Sequence, residues 1–177
     1  MSQHDTHIEW LPVHSAATIA CVEALARQIW TEHYVPIIGQ AQVGYMLEHF
    51  QSAAAIAAQI AEDQEYFLVR RVTAEVSMTP PWCGYYAVQA QSLSARLFIS
   101  KIYLLATERR QGLGRAMLQQ ITLLARQRGL TTLWLTVNKH NPALQVYLRW
   151  GFQNVGPIVK DIGGGFVMDD FQLEKQL

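Results

Sequence analysis

Arg109-Arg110-Gln111-Gly112-Leu113-Gly114 is the segment of this chain best suited to chemistry. An Arg-x-x-Gly-x-Gly spacing where a strand passes into a helix leaves first-turn N–H groups without intrahelical partners, and the helix dipole favours an anion there. A phosphate or pyrophosphate suits those donors. Arg109 and Arg110 add mobile positive charge and bidentate hydrogen bonds. A Walker loop needs Lys-Ser/Thr after its last glycine, but Gly114 is followed by Arg115-Ala116. A dinucleotide fingerprint needs glycine or alanine at the position of Met117 and an acidic residue on the next strand, and residues 133–137 contain none. Tight strand-to-helix packing would by itself also account for the glycines.

The elements that must position this loop are readable from periodicity. Leu97 to Leu105 is a mostly apolar run, as expected of a central strand. After the loop, Leu113, Met117, Ile121 and Leu124 recur at helical spacing up to Gly129, and Leu133 to Val137 reads as a buried strand. Asn141-Pro142 predicts a helix start, Asn as N-cap and Pro at the first position, with Trp150-Gly151 at the end. Upstream, Ser15 is a candidate N-cap for a helix ending near His33, broken by Pro36 and Gly39. An alanine-rich helical stretch, in one or two pieces, runs from Tyr45 to Ile60. Tyr66 to Val69 and Gly84 to Val88 predict strands of a meander around a Thr79-Pro80-Pro81 turn, and two more strand-like pieces flank Gly163-Gly164-Gly165.

Composition excludes several function classes. The 177 residues carry 14 Lys+Arg and 14 Asp+Glu, so no nucleic-acid-binding excess of basic charge exists. Half the residues are hydrophobic and 16% are charged, against about 25% in an average domain, which is ample for one core. Residues 1–177 are expected to form a single domain. Two cysteines, Cys21 and Cys83, are too few and too far apart for a disulfide framework or a metal pair, and no metal is expected. No apolar stretch reaches the roughly 18 residues of a membrane span, and no Lys or Arg precedes Arg27, so a cytoplasmic location is expected.

The loop, preceded by Ile102-Tyr103-Leu104 and followed by Asn138, Asn141-Pro142-Ala143 and Tyr147-Leu148-Arg149-Trp150-Gly151-Phe152, resembles the GNAT family of acetyl-CoA-dependent N-acetyltransferases. The resemblance covers about residues 97 to 153. It implies an α/β fold with a mixed central β-sheet flanked by helices, and acetyl-CoA as the acyl donor. It also implies that Arg109, Arg110, Gln111, Gly112, Leu113, Gly114 and Arg115 hold the pyrophosphate, largely through main-chain N–H groups. Ile102, Tyr103 and Leu104 would offer backbone to the pantetheine arm where the strand splays from its neighbour. Asn138 or Asn141 would hydrogen-bond the cofactor. Tyr147 would protonate the departing thiolate, which is chemically reasonable because thiols titrate at roughly 8.5 and phenols near 10.

On the acceptor side, the aromatic and acidic stretch around Trp30, His33 and Tyr34 is expected to form one wall of a groove for a small-molecule amine, with Asp169 a further attraction for an ammonium. Trp30 and Tyr34 packing between helices would explain the same residues. Many members of the family place a glutamate on the central strand ahead of the loop, whereas Ser100-Lys101 stands here. A water chain to Glu75, His33 or Asp169 would then have to remove the acceptor's proton. The strands from Asp161 to Leu173 would shape this site or a homodimer contact. Three other readings stay open: a CoA-binding sensor or interaction module without turnover, an acetyltransferase of peptide N-termini, and a nucleotide-binding α/β domain.

Overall fold

The computed structural model of the protein describes residues 7–72 and 81–177. Glu75 and most of the turn expected at residues 79–81 lie outside them. Strand β1 (His7–Pro12) leads into α1 (Ala16–Ile38), α2 (Gln40–Phe50) and α3 (Ala53–Ala61), followed by β2 (Glu65–Val72), β3 (Gly84–Gln91) and β4 (Arg96–Leu104). Then come α4 (Leu113–Gln127), β5 (Thr132–Asn138), α5 (Ala143–Arg149), β6 (Gln153–Gly163) and β7 (Phe166–Gln176). The seven strands form one mixed sheet in the order β1-β2-β3-β4-β5-β7-β6. Only β4 and β5 are parallel neighbours.

Ser15 caps α1 as its sequence predicts: its hydroxyl accepts from Thr18 N–H at 3.2 Å, and Thr18 Oγ1 accepts from Ser15 N–H at 3.1 Å. The helix does not stop near His33. It runs through Pro36 to Ile38 and ends at Gly39, whose φ is +85°. Pro36 falls in the last turn, where its missing N–H removes one hydrogen bond without ending the helix. That extra turn matters, because it carries His33 and Tyr34 on rigid helix. Strand β1 was not legible: its six residues end in a proline and pair at the sheet edge only because β2 lies beside them.

Each face of the sheet has its own core. On one face Leu113, Met117, Ile121 and Ala125 of α4 pack on Leu97, Ile99, Leu133 and Leu135. Burying a side chain such as Ile121 or Leu133 contributes about 1.5–3 kcal/mol. On the other face Val22, Ala26 and Ile29 of α1 and Ile56 of α3 cover Leu68, Tyr85 and Ala87. Among the described residues no helix is long and apolar enough to cross a membrane.

Two irregularities shape the middle of the sheet. The parallel β4–β5 ladder pairs only Arg96, Leu97 and Phe98 with Thr132, Leu133 and Trp134, after which the strands part. In the β3–β4 ladder Ala87 opposes Lys101 and Val88 opposes Ile99, so Ser100 bulges out unopposed. The bulge reverses the alternation of β4. Leu97 and Ile99 belong to the α4 face, whereas Tyr103 and Leu105 belong to the α1 face.

Candidate active site

A cavity of about 620 Å³ occupies the space where β4 and β5 separate. Ile99 to Leu104 line one side and Leu135 to Val137 the other. The other edges of both strands are paired, β4 with β3 and β5 with β7. Backbone N–H and C=O groups facing the gap therefore lack ladder partners, which is costly unless water or a ligand meets them.

The mouth of α4 closes one end. Gly112 stands at its N-cap in the left-handed region (φ +80°), and no side chain caps the helix. The first intrahelical bond is Ala116 N–H to Gly112 O, at 3.0 Å. The N–H groups of Leu113, Gly114 and Arg115 make no hydrogen bond to any described residue. Arg110, with φ +62°, is held in the same region without being glycine. Such strain costs of order 1–3 kcal/mol and collects where loops hold ligands. At Gly114 a Cβ would stand 3.3 Å from the Trp150 ring, a tight contact that the ring would have to relieve by a few tenths of an ångström.

Contacts that sequence reasoning missed hold the loop in place. Arg71, at the end of β2, pairs with Glu108 at 3.3 Å and donates from Nη2 to Gln111 O at 3.1 Å. The Gln111 amide folds back onto Thr107 O at 2.6 Å. Arg109 donates from Nε to Leu104 O at 3.2 Å, tying the loop to the end of β4. Nothing local in the sequence marks Arg71, since its partners come from residues nearly forty positions away.

Most of the expected residues line the cavity: His33 and Tyr34 from α1, residues 102–104, Arg109, Arg110, Gly112, Gly114 and Arg115 around the loop, and Asn141 and Tyr147 around α5. Tyr147 packs edge-on against Trp150 and Phe152. Its hydroxyl makes no hydrogen bond to any described residue, and burial holds the phenol well above its usual range. It is therefore a neutral donor at physiological pH.

Asn141 joins both ends of the site. Its Oδ1 accepts from Ala143 N–H at 2.9 Å, the capping role its sequence predicts, and lies 3.1 Å from His33 Nε2. Its Nδ2 donates to the Tyr34 hydroxyl at 3.2 Å. His33 Nδ1 lies 3.3 Å from Arg109 Nη1. Guanidinium can only donate, so this chain assigns the neutral imidazole with the proton on Nε2. Burial pushes the imidazole below its usual range, and the Arg109 charge acts in the same direction. Tyr34 is pushed up to about 12 by burial.

Five expected residues do not line the cavity with their side chains, the first being Gln111, whose amide is turned onto Thr107 O. Trp30 lies beneath the wall, buried and stacked on Tyr34 at 4.4 Å between centroids, so its packing role accounts for it. Leu113 is in the core; its side chain does not reach the cavity. Asn138 accepts from His140 N–H at 2.9 Å in a local turn. Asp169 pairs with Lys139, off the cavity wall. Its neighbour Asp170, on the opposite face of β7, is buried, and burial pushes its carboxyl above the usual range.

A second cavity of about 620 Å³ lies beyond Arg115 and Trp150, bordered by Thr122, Arg126 and Lys175. It holds no phenol or backbone gap like those of the first.

This arrangement has known counterparts. The model of the acetyltransferase (GNAT) family matches residues 28–152, which include α4, both parting strands and α5. Streptothricin acetyltransferase of Streptomyces lavendulae is 36% identical over 74 residues, 41% of this chain and 39% of that protein's length. The PaiA N-acetyltransferase from Thermoplasma acidophilum, solved in complex with coenzyme A, superposes with a TM-score of 0.75 at 17% identity, over 97% of this chain and 99% of that one. Nourseothricin acetyltransferase aligns with a TM-score of 0.54 at 23% identity, over 66% of each chain. With the matched stretch running from the C-terminal part of α1 through the glycine loop to Phe152, this chain belongs to the acetyltransferase (GNAT) family.

Proposed function

We propose that the protein transfers the acetyl group of acetyl-CoA to a primary amine of a small cationic molecule, in a direct ternary complex. The observation that carries this reading is one cavity that combines three features: the open β4–β5 backbone, the free N–H groups at the α4 mouth and the unpartnered Tyr147 hydroxyl. The fit to acetyl-CoA rests on those features. The α4 N–H groups suit a diphosphate. The unpaired edge of β4 offers alternating donors and acceptors to an extended amide chain.

Acetyl-CoA supplies the activated acyl group when bound. The residues of this chain do the rest. Backbone N–H groups of β4 that face the gap would serve a developing oxyanion, and such preorganised donors give the largest electrostatic benefit. Tyr147 would offer its proton to the sulfur of the departing thiol. Because burial raises this phenol, complete transfer requires that the same dry cavity make the thiolate correspondingly basic. His33 and Tyr34 line the cavity on the α1 side, and an aromatic wall of this kind favours an ammonium-bearing acceptor. The likeness to streptothricin acetyltransferase supports the same class of acceptor.

Isothermal titration with acetyl-CoA, ATP and NAD in turn is expected to show tight binding of acetyl-CoA only. A panel of streptothricin, spermidine and a peptide with a free N-terminus, read by thiol release from acetyl-CoA, is expected to respond to a small cationic amine. Release with the peptide alone would move the assignment to N-terminal acetylation. No release with any amine, despite tight binding, would support a sensor instead.

Arg71→Ala is expected to loosen the loop without removing any direct ligand contact. Acetyl-CoA affinity should fall about 3- to 10-fold, in keeping with the loss of one partly exposed ion pair and one charged hydrogen bond. Unchanged affinity by titration would mean that Arg71 does not order the loop.

A further inference from the structure

Lys101 belongs to the cavity wall, and its amine is buried behind that wall against Gln59 and Tyr66, with no carboxylate among the described residues paired to it. It is 6% exposed and makes none of the ion pairs found among the described residues. Its Nζ donates to Gln59 Oε1 at 2.6 Å and lies 3.3 Å from Ser100 Oγ. The Gln59 amide is oriented by its own bond from Nε2 to Phe50 O, and its Oε1 also accepts from the Tyr66 hydroxyl at 2.5 Å. The Tyr66 ring lies 5.1 Å from Nζ. Nζ donates to both Gln59 Oε1 and Ser100 Oγ in the structure; on a neutral amine the same 3.3 Å contact serves with the roles exchanged, the Ser100 hydroxyl donating to the Nζ lone pair.

The β4 bulge makes this pairing possible. Successive side chains of a regular strand point to opposite faces, but here the unopposed Ser100 and the adjacent Lys101 meet. Both residues line the cavity.

We propose that Ser100 and Lys101 form a proton relay that takes one proton from the acceptor's ammonium group and leaves it as a nucleophilic amine. This inference rests on the acetyltransferase reading above. One proton passes from R–NH₃⁺ to Ser100 Oγ while the Ser100 hydroxyl proton passes to the Nζ lone pair. The products are R–NH₂ and the Lys101 ammonium, with charge conserved. After the product leaves, Lys101 returns the proton to solvent by the same path.

Burial pushes Lys101 down to about 7, so the amine is available near neutrality. The titratable groups on the packed elements are Tyr66 on β2, Tyr85 on β3, His33 and Tyr34 on α1 and Asp170 on β7. Burial holds the phenols above their usual range and therefore uncharged. His33 is shifted below its usual range and Asp170 above its own. Neither is hydrogen-bonded to Lys101.

Two measurements decide the matter. The chain has four lysines, so NMR of Cε-labelled protein resolves them. One signal, absent from Lys101→Met, should titrate near 7; titration of that signal near 10 would overturn the proposal. Thiol release from acetyl-CoA is then followed against pH with the most active amine of the panel. In the wild type, kcat should fall tenfold per pH unit below about 7. Lys101→Met and Ser100→Ala should each lose that limb and run roughly 10²-fold slower at pH 8, with acetyl-CoA affinity retained. The double variant should be no slower than either, because the pair acts as a unit. A limb that survives in Lys101→Met, or additive losses in the double variant, would overturn the relay. Acetylation of Lys101 itself, seen by mass spectrometry after incubation with acetyl-CoA, would also overturn it. If the wild type releases no thiol with any amine, the acetyltransferase reading fails and the relay with it; if it does and the variants behave as wild type, only the relay fails.

Discussion

Tyr147→Phe is expected to lower kcat by roughly 10²-fold, about 2.7 kcal/mol of transition-state stabilisation, the lower end of what one positioned proton donor contributes. The affinity for acetyl-CoA should hardly change. The phenol ring, which packs on Trp150 and Phe152, is kept in the variant. The hydroxyl has no partner among the described residues, so its removal orphans no buried group and stability should hold. The loss should also depend on the leaving group: a more acidic thiol needs less help from a donor. Equal kcat in the variant would remove Tyr147 from the chemistry.

Gly112→Asp is expected to weaken acetyl-CoA binding by roughly 30- to 100-fold, or about 2–3 kcal/mol, the scale of one like-charge contact near a protein surface. The left-handed backbone at this position, φ +80°, would penalise most residues, but Asn and Asp adopt it more readily than others. A Cβ at Gly112 meets nothing within 4 Å, so a side chain has room. Gly112→Asn is therefore the control: nearly the same shape, no charge, and an affinity loss of less than tenfold. Equal losses in the two variants would show that strain, not charge at the helix mouth, sets the affinity.

Parts of this architecture were legible because their causes are local. Gly112 and Gly114 mark a strand-to-helix junction, and Ser15 and Asn141 reveal themselves as caps, since each satisfies donors two or three residues away. The illegible parts depend on distant partners. Nothing near Arg71 shows that it grips the Gln111 carbonyl. The adjacent Asp169 and Asp170 must face opposite sides of a strand. Only the pairing of Asp170 with Asn138 across β5 and β7 decides which of them is buried. The continuation of α1 through Pro36 was misread because a proline in a final turn breaks little. The β4 bulge is a mismatch between two strands and has no signature in either one alone. Without it, Ser100 and Lys101 read only as a missing glutamate.

The central claim is that the N–H groups at the mouth of α4 receive the diphosphate of acetyl-CoA. Titrating amide-labelled protein with coenzyme A tests it most directly. The largest downfield amide shifts are predicted at Leu113, Gly114 and Arg115, with smaller ones along residues 99–104 of β4. Shifts gathered around Thr122, Arg126 and Lys175, with the helix mouth unmoved, would place the ligand in the second cavity and contradict the account.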